Sequence, residues 1–182
     1  MIKDKKITLG VTGGISAYKA ISIANNLTKL GADVQVIMTK DALKFVTPLS
    51  FEVLTHNKVI IDMFNEANDK YVGHIHFSQD VDLMIIAPAT ANIIGKAANG
   101  IADDMLSSTI IASNKPVVFA PAMNEYMYTN PIVQSNIEKL KGFGYKFIEP
   151  TTGHLACGTE GVGKLADTKT IIDFINDILE EV

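Results

Sequence analysis

Short apolar runs, each closed by Gly, Pro or Asp, recur at Lys6 to Val11, Asp33 to Met38, Asp82 to Ala87, Pro116 to Ala120 and Tyr145 to Ile148. Runs of this length with almost no polar interruption predict strands covered on both faces, the habit of a parallel sheet. Between them the apolar positions change to helical spacing. Ile15, Ile23, Leu27 and Leu30 form one expected buried stripe, and Gly31 stands where a glycine just past a helix end would close it. Further helices are expected over Pro48 to Leu54, Ala91 to Ala98, Met105 to Ala112, Pro131 to Leu140 and Thr168 to Leu179. The alternation predicts an α/β fold, a single-domain doubly wound parallel sheet of Rossmann-like kind. No internal repeat or Pro- or Ser-rich linker divides residues 1–182. Two stretches escape the alternation. Residues 57–80 are polar and irregular, with room for a short strand over Lys58 to Asp62, and residues 149–167 carry Gly153, Gly158, Gly161 and Gly163 with little apolar periodicity. The second reads as a long mobile loop of the kind that serves as a substrate lid.

Composition narrows the function. With 182 residues, 47% of them apolar, the chain can fill one core, which excludes a disordered regulator. The 16 basic residues against 20 acidic ones give a net charge of −4 without any dense basic cluster, so a nucleic-acid partner is excluded. A single cysteine forms no internal disulfide and no paired metal-ligand spacing, which points to a cytoplasmic setting. Met1 to Lys6 is basic like the front of a signal peptide, but Gly10, Gly13 and Gly14 interrupt the apolar run behind it. That pattern fits a strand entering a glycine turn. No stretch reaches the ~20 uninterrupted apolar residues of a membrane span, so no membrane association is expected.

The turn Gly10-Val11-Thr12-Gly13-Gly14-Ile15-Ser16-Ala17 joins the first strand to a helix. Glycines let a backbone approach an anion, and the exposed amides and positive dipole end of a helix favour phosphate there. The spacing is neither G-x-G-x-x-G nor a Walker A loop, and a tight turn without a ligand remains an alternative. Dinucleotide enzymes place an acid at the end of the second strand to hold the ribose; here the chain reads Met38-Thr39-Lys40. Hydroxyl and ammonium suit phosphate, so a mononucleotide is favoured over NAD, although Thr39 could equally cap a following turn. Thr90 and Asn92 follow the strand that starts at Asp82, where they could meet a flat heterocycle or cap a helix.

Three positions could carry chemistry. His74 and His76 share a face if Val72 to Phe77 is extended; no third ligand is evident, so a metal site is not expected and a single general base is the functional reading. Asn124, after Pro121-Ala122-Met123, could orient a carboxylate or cap a turn. Cys157 lies among glycines in His154 to Lys164, a context suited to a lid that carries a thiol to substrate, although lone cysteines are commonly small core residues.

Gly13-Gly14-Ile15-Ser16-Ala17-Tyr18-Lys19, Gly73-His74-Ile75, Pro88-Ala89-Thr90-Ala91-Asn92, Pro121-Ala122-Met123-Asn124-Glu125-Tyr126-Met127 and Ala156-Cys157-Gly158, in this order, resemble the flavin-dependent cysteine decarboxylases, from about Ile7 to Asp167. The resemblance implies a flavoprotein that forms a homotrimer or a dodecamer of trimers, with FMN between neighbouring subunits. It implies FMN contacts at Gly13, Gly14, Ile15, Ser16, Thr39, Thr90, Ala91, Asn92 and Ala122. It makes His74 the base, Asn124 the residue that holds substrate and Cys157 the acid, with Met127, Ala156 and Lys164 also on the substrate. Thr90, Ile93, Phe77 and Tyr128 depart from the family's usual Ser, Thr, Leu and Trp, and Lys164 stands in place of a frequent Arg, exchanging a fork for a point charge.

In the chemistry this implies, flavin takes a hydride from the carbon bearing sulfur, the neighbouring carboxylate leaves as CO2, and a returned hydride plus a proton give a saturated thiol. Family members that stop at the enethiol do without the cysteine, so Cys157 favours 4′-phosphopantothenoylcysteine as substrate and 4′-phosphopantetheine as product, a step of coenzyme A biosynthesis. Alternatives within the resemblance are a peptidyl-cysteine decarboxylase of lantibiotic type, a flavin prenyltransferase, or a non-catalytic flavin-binding phosphatase regulator. Regulators of that group carry added acidic segments, whereas only Glu180-Glu181 is acidic here. Many bacterial members continue into the enzyme that makes the substrate, so a fused or separate phosphopantothenate-cysteine ligase is an implied partner.

Overall fold

The computed structural model describes residues 2–63, 73–154, 158 and 160–181, without the side chains of His74 and His76. Five parallel strands build the main sheet: β1 (Lys6–Val11), β2 (Asp33–Met38), β3 (Leu83–Ala89), β4 (Val117–Pro121) and β5 (Lys146–Phe147). Their order is β2-β1-β3-β4-β5. The order reverses between β1 and β3, and open sheets of this kind take ligands in the crevice outside the strand carboxyl ends at such a switch point. Every residue of β3 is buried, as the unbroken apolar run requires.

Alternate strand residues feed two cores. Ile7, Leu9, Val11, Leu83 and Ile85 pack with α1 (Ala17–Lys29), α2 (Pro48–Thr55) and α8 (Thr168–Glu181). Met84, Ile86, Val117 and Phe119 pack with α4 (Ala91–Ala98), α5 (Met105–Ala112) and α7 (Pro131–Gly142). This two-sided covering is the predicted doubly wound architecture, and α2, α4, α5, α7 and α8 start where expected. No helix among the described residues is long and apolar enough to cross a membrane.

The differences have local causes. The buried stripe of α1 is Ala17, Ala20, Ile23, Ala24 and Leu27, whereas Ile15 and Leu30 are 57% and 48% exposed. Ile15 precedes the helix and Leu30 stands at its cap, so both keep the apolar period but lie beyond the turns that pack on the core. Gly31 closes the helix as expected: its φ is +89°, its N–H donates to the Thr28 carbonyl at 2.9 Å, and the Ala32 N–H donates to the Leu27 carbonyl at 3.1 Å. Lys58 to Asp62 forms no strand, only a bridge between Ile60 and Ile37. The stretch around His74 is helix α3 (Gly73–Gln79), so the extended spacing that put His74 and His76 on one face is absent. Buried Thr8 of β1 fixes that helix to the sheet by donating its hydroxyl to the Phe77 carbonyl at 2.9 Å.

Residues 149–167 are not one irregular loop. Strands β6 (Thr151–His154) and β7 (Glu160–Lys164) pair antiparallel as a separate ribbon. The ribbon docks on the segment after β4: the Met123 N–H donates to the Gly163 carbonyl at 2.9 Å. Gly163 has φ +136°, and a Cβ there would run into the Met123 carbonyl. A Cβ at Gly161 would run into the Glu125 carboxylate. The glycines that mask any strand pattern in the sequence are what bring the ribbon into contact.

Candidate active site

A cleft of about 810 Å3 opens at the carboxyl ends of β1, β2, β3 and β4. From the β1–α1 turn it is lined by Gly13, Gly14, Ile15 and Ser16, and from the end of β2 by Thr39. Thr90, Ala91 and Asn92 line it from the start of α4, and Ala122 from the end of β4. Asn124, Met127 and Lys164 line the same space, the first two around α6 (Glu125–Tyr128) and the last from β7. Residues far apart in the sequence therefore converge on one chamber.

The β1–α1 turn has the properties an anion requires. Ser16 makes no side-chain cap bond, and among the described residues the N–H groups of Gly13, Ile15 and Ser16 have no acceptor within the chain. Orphan amides at a helix start attract negative charge. The turn also leans on residues 39–41: a Cβ at Gly13 would overlap the Asp41 Cβ and sit 2.9 Å from its carbonyl carbon. Only glycine lets the two backbones close that corner. At Gly14 a Cβ would meet nothing nearer than the Thr90 methyl, at 3.6 Å. The cradle fits the phosphate of a mononucleotide.

Capping and lining prove compatible. Thr90 caps α4 by accepting the Ile93 N–H at 3.5 Å, and Asn124 caps α6 by accepting the Tyr126 N–H at 2.9 Å. The Ala42 N–H approaches the Thr39 hydroxyl at 3.3 Å. Each cap fixes a polar side chain that also faces the cleft, so the cap serves as the positioning device.

The acids lining the cleft are matched by lysines. Asp41 pairs with Lys44 at 2.7 Å, and Lys96 reaches Asp103 at 2.6 Å and Asp104 at 2.8 Å. Burial works against the charge of Asp104, but the Lys96 ammonium and the Ser107 amide and hydroxyl outweigh it and hold its carboxyl below the usual range. Lys96 responds in the opposite sense: burial opposes its charge, and the two carboxylates raise it. Lys40 lies 3.9 Å from Asp62. Lys19 and Lys164 also line the cleft, and no carboxylate among the described residues pairs with either. Two unmatched ammonium groups make the chamber receptive to a second anion.

His74 is placed only by its backbone, in the first turn of α3, and Ala156 and Cys157 lie outside the described residues. Among the described residues no cluster of His, Asp, Glu and Cys could hold a metal ion. Reading the sequence missed Lys96, Asp104, His154 and Gly163 as cleft residues and left Thr12 and Lys19 without a role. Lys96 had a usable signal, because it lies four residues after Asn92 on one helix face. Asp104 had another, as the start of a capping box with Ser107.

The chain is 48% identical over 172 residues to the coenzyme A biosynthesis bifunctional protein of Bacillus subtilis (strain 168), covering 94% of this chain and 42% of that protein. It is 46% identical over 177 residues to the probable phosphopantothenoylcysteine decarboxylase of Streptococcus mutans serotype c, covering 96% of this chain and 99% of the relative. The chain thus spans about half the length of the bifunctional relatives it matches. Among solved structures, a cysteine-to-serine variant of PPC decarboxylase complexed with pantothenoylaminoethenethiol superposes with a TM-score of 0.88 at 30% identity, over 98% of this chain and 100% of that one. The FMN-dependent cysteine decarboxylase SpaF gives 0.85 at 29% identity, over 100% and 98%. The family model described as Flavoprotein matches residues 1–180, and the chain belongs to that family.

Proposed function

We propose that the chain is an FMN-dependent carboxy-lyase that converts 4′-phosphopantothenoylcysteine to 4′-phosphopantetheine and CO2 in coenzyme A biosynthesis. The observation that carries this reading is the convergence of every residue assigned to FMN with Asn124, Met127 and Lys164 on one cleft. The full-length match to the Streptococcus mutans relative supports the substrate.

The free amides of Gly13, Ile15 and Ser16, with Gly14 and the Thr39 hydroxyl beside them, would hold the FMN phosphate; Thr90, Ala91, Asn92 and Ala122 would hold the rest of the cofactor. FMN, held there, would supply the two-electron sink that makes the bond to the carboxylate breakable. Asn124, its carboxamide fixed by the Tyr126 amide, orients the substrate carboxylate. Lys164, with Ala156 and Met127, holds the far, anionic end of the substrate. His74 takes the proton that leaves the substrate, and Cys157 gives one back to form the saturated thiol. Net, one proton enters and one CO2 leaves, with no net change of electrons.

The β6–β7 ribbon is the substrate lid, docked through Gly161 and Gly163. The working assembly is a homotrimer or a dodecamer of trimers in the cytoplasm, supplied by a fused or separate phosphopantothenate-cysteine ligase. Anaerobic single turnover with mass analysis tests the scheme. Wild-type protein releases the saturated thiol; Cys157→Ser consumes substrate and accumulates the unreduced product. Saturated thiol from that variant removes the role of Cys157, and a preparation unable to retain FMN removes the whole reading.

A further inference from the structure

Thr12 follows β1 directly and is 2% exposed. Its hydroxyl is fully used: it donates to the Pro88 carbonyl at 2.7 Å and accepts the Thr90 N–H at 3.2 Å. The place of these bonds gives them meaning. The β1–β3 ladder runs from Ile7–Leu83 to Gly10–Ile86 and then stops. Beyond it the two backbones part at the switch point, one turning into Gly13 and Gly14, the other into the Thr90 cap of α4. The Thr12 side chain spans the gap just as the cleft opens, and it ties the Thr90 amide while the Thr90 hydroxyl caps Ile93.

We propose that Thr12 is a positioning residue of this cleft: its buried hydroxyl sets the spacing between the glycine turn before α1 and the first turn of α4, and through that spacing the grip on FMN. The proposal rests on the FMN reading above. Without the hydroxyl, the Pro88 carbonyl and Thr90 amide lose a buried partner, and the α4 start is free to shift away from Gly14.

The test compares Thr12→Val, which keeps shape and loses both bonds, with Thr12→Ser, which keeps the hydroxyl. Flavin-stripped protein is titrated with FMN by fluorescence, and its melting temperature is recorded without ligand. Thr12→Val is expected to weaken FMN binding by about tenfold or more, and Thr12→Ser to stay within about threefold of wild type. Thr12→Val binding FMN like wild type, with only its melting temperature lowered, overturns the proposal, as does Thr12→Ser failing like Thr12→Val. A measurement on the unaltered chain covers the case in which Thr12→Val does not fold. The Thr90 amide should exchange with solvent as slowly as the neighbouring amides of β3, and fast exchange there overturns the proposal. A wild-type chain that takes up no FMN instead overturns the cofactor reading itself.

Discussion

The two sides of the cleft are built by different means. The side proposed for the cofactor consists of turns at the ends of β1, β2, β3 and β4, each continuous with a buried strand and closed by short contacts such as Gly13 on Asp41. The side proposed for the substrate consists of α6 and the β6–β7 ribbon, where Met127 is 47% exposed and Tyr126 78% exposed. One side inherits its geometry from the core; the other is set by glycines that dock a peripheral ribbon. Cofactor affinity should therefore follow the strand ends, and substrate affinity the ribbon.

The largest effect is expected from Gly13→Ala. Its methyl would overlap the Asp41 backbone, and FMN retention, read from the visible spectrum after gel filtration, should be lost. Next, Gly163→Ala combines a φ of +136° with a collision at the Met123 carbonyl. It should lower kcat/KM by about tenfold or more while leaving FMN in place, since the affected contact docks the ribbon. If Gly163→Ala released FMN as readily as Gly13→Ala, the division between the two sides would disappear. Lys164→Ala should raise KM by about tenfold with little change in kcat, as loss of a uniform charge contact does; an unchanged KM would remove Lys164 from the anion site.

Two smaller effects probe the framework. Ile23→Ala should cost about 2–5 kcal/mol in urea unfolding and Leu30→Ala under about 0.5 kcal/mol, because only the first is buried. The last prediction concerns pH. The Asp104 carboxyl titrates lower in the folded chain than in the unfolded one. Its stabilisation is complete above the unfolded value, about 3.9, and is lost as pH falls through the lower folded value. The stability gap between wild type and Asp104→Asn should narrow from pH 5 to pH 3; a constant gap would show that the Lys96 pair adds nothing.

The same division explains what the sequence disclosed. β1 and β3 are legible because strands covered on both faces must be apolar throughout, and the glycine turn because Gly13-Gly14 falls between a strand and a helix, although the pair alone does not separate an anion cradle from a bare turn. The ribbon was illegible because Thr151-Thr152-Gly153-His154 and Glu160 to Lys164 have no alternation of apolar and polar residues; docking on Met123 and Glu125 defines it instead. Helix α3 is hidden in the sequence because Val72 to Phe77 happens to alternate, while the Thr8 bond that anchors it comes from a strand more than sixty residues earlier. Ile15 and Leu30 match the apolar period but fall outside the helix that would have buried them.

The continuity of the glycine turn with the central strand β1 has a consequence in the cell. A ligand that binds only the folded form adds to its stability in proportion to the logarithm of its concentration over Kd. The glycine turn exists only while β1 is in register with β2 and β3, so if FMN is held there as proposed, vitamin supply and protein half-life would be linked. On that reading, riboflavin shortage would thin out the protein as well as idle it, and flavin repletion would raise its abundance before any new message is made.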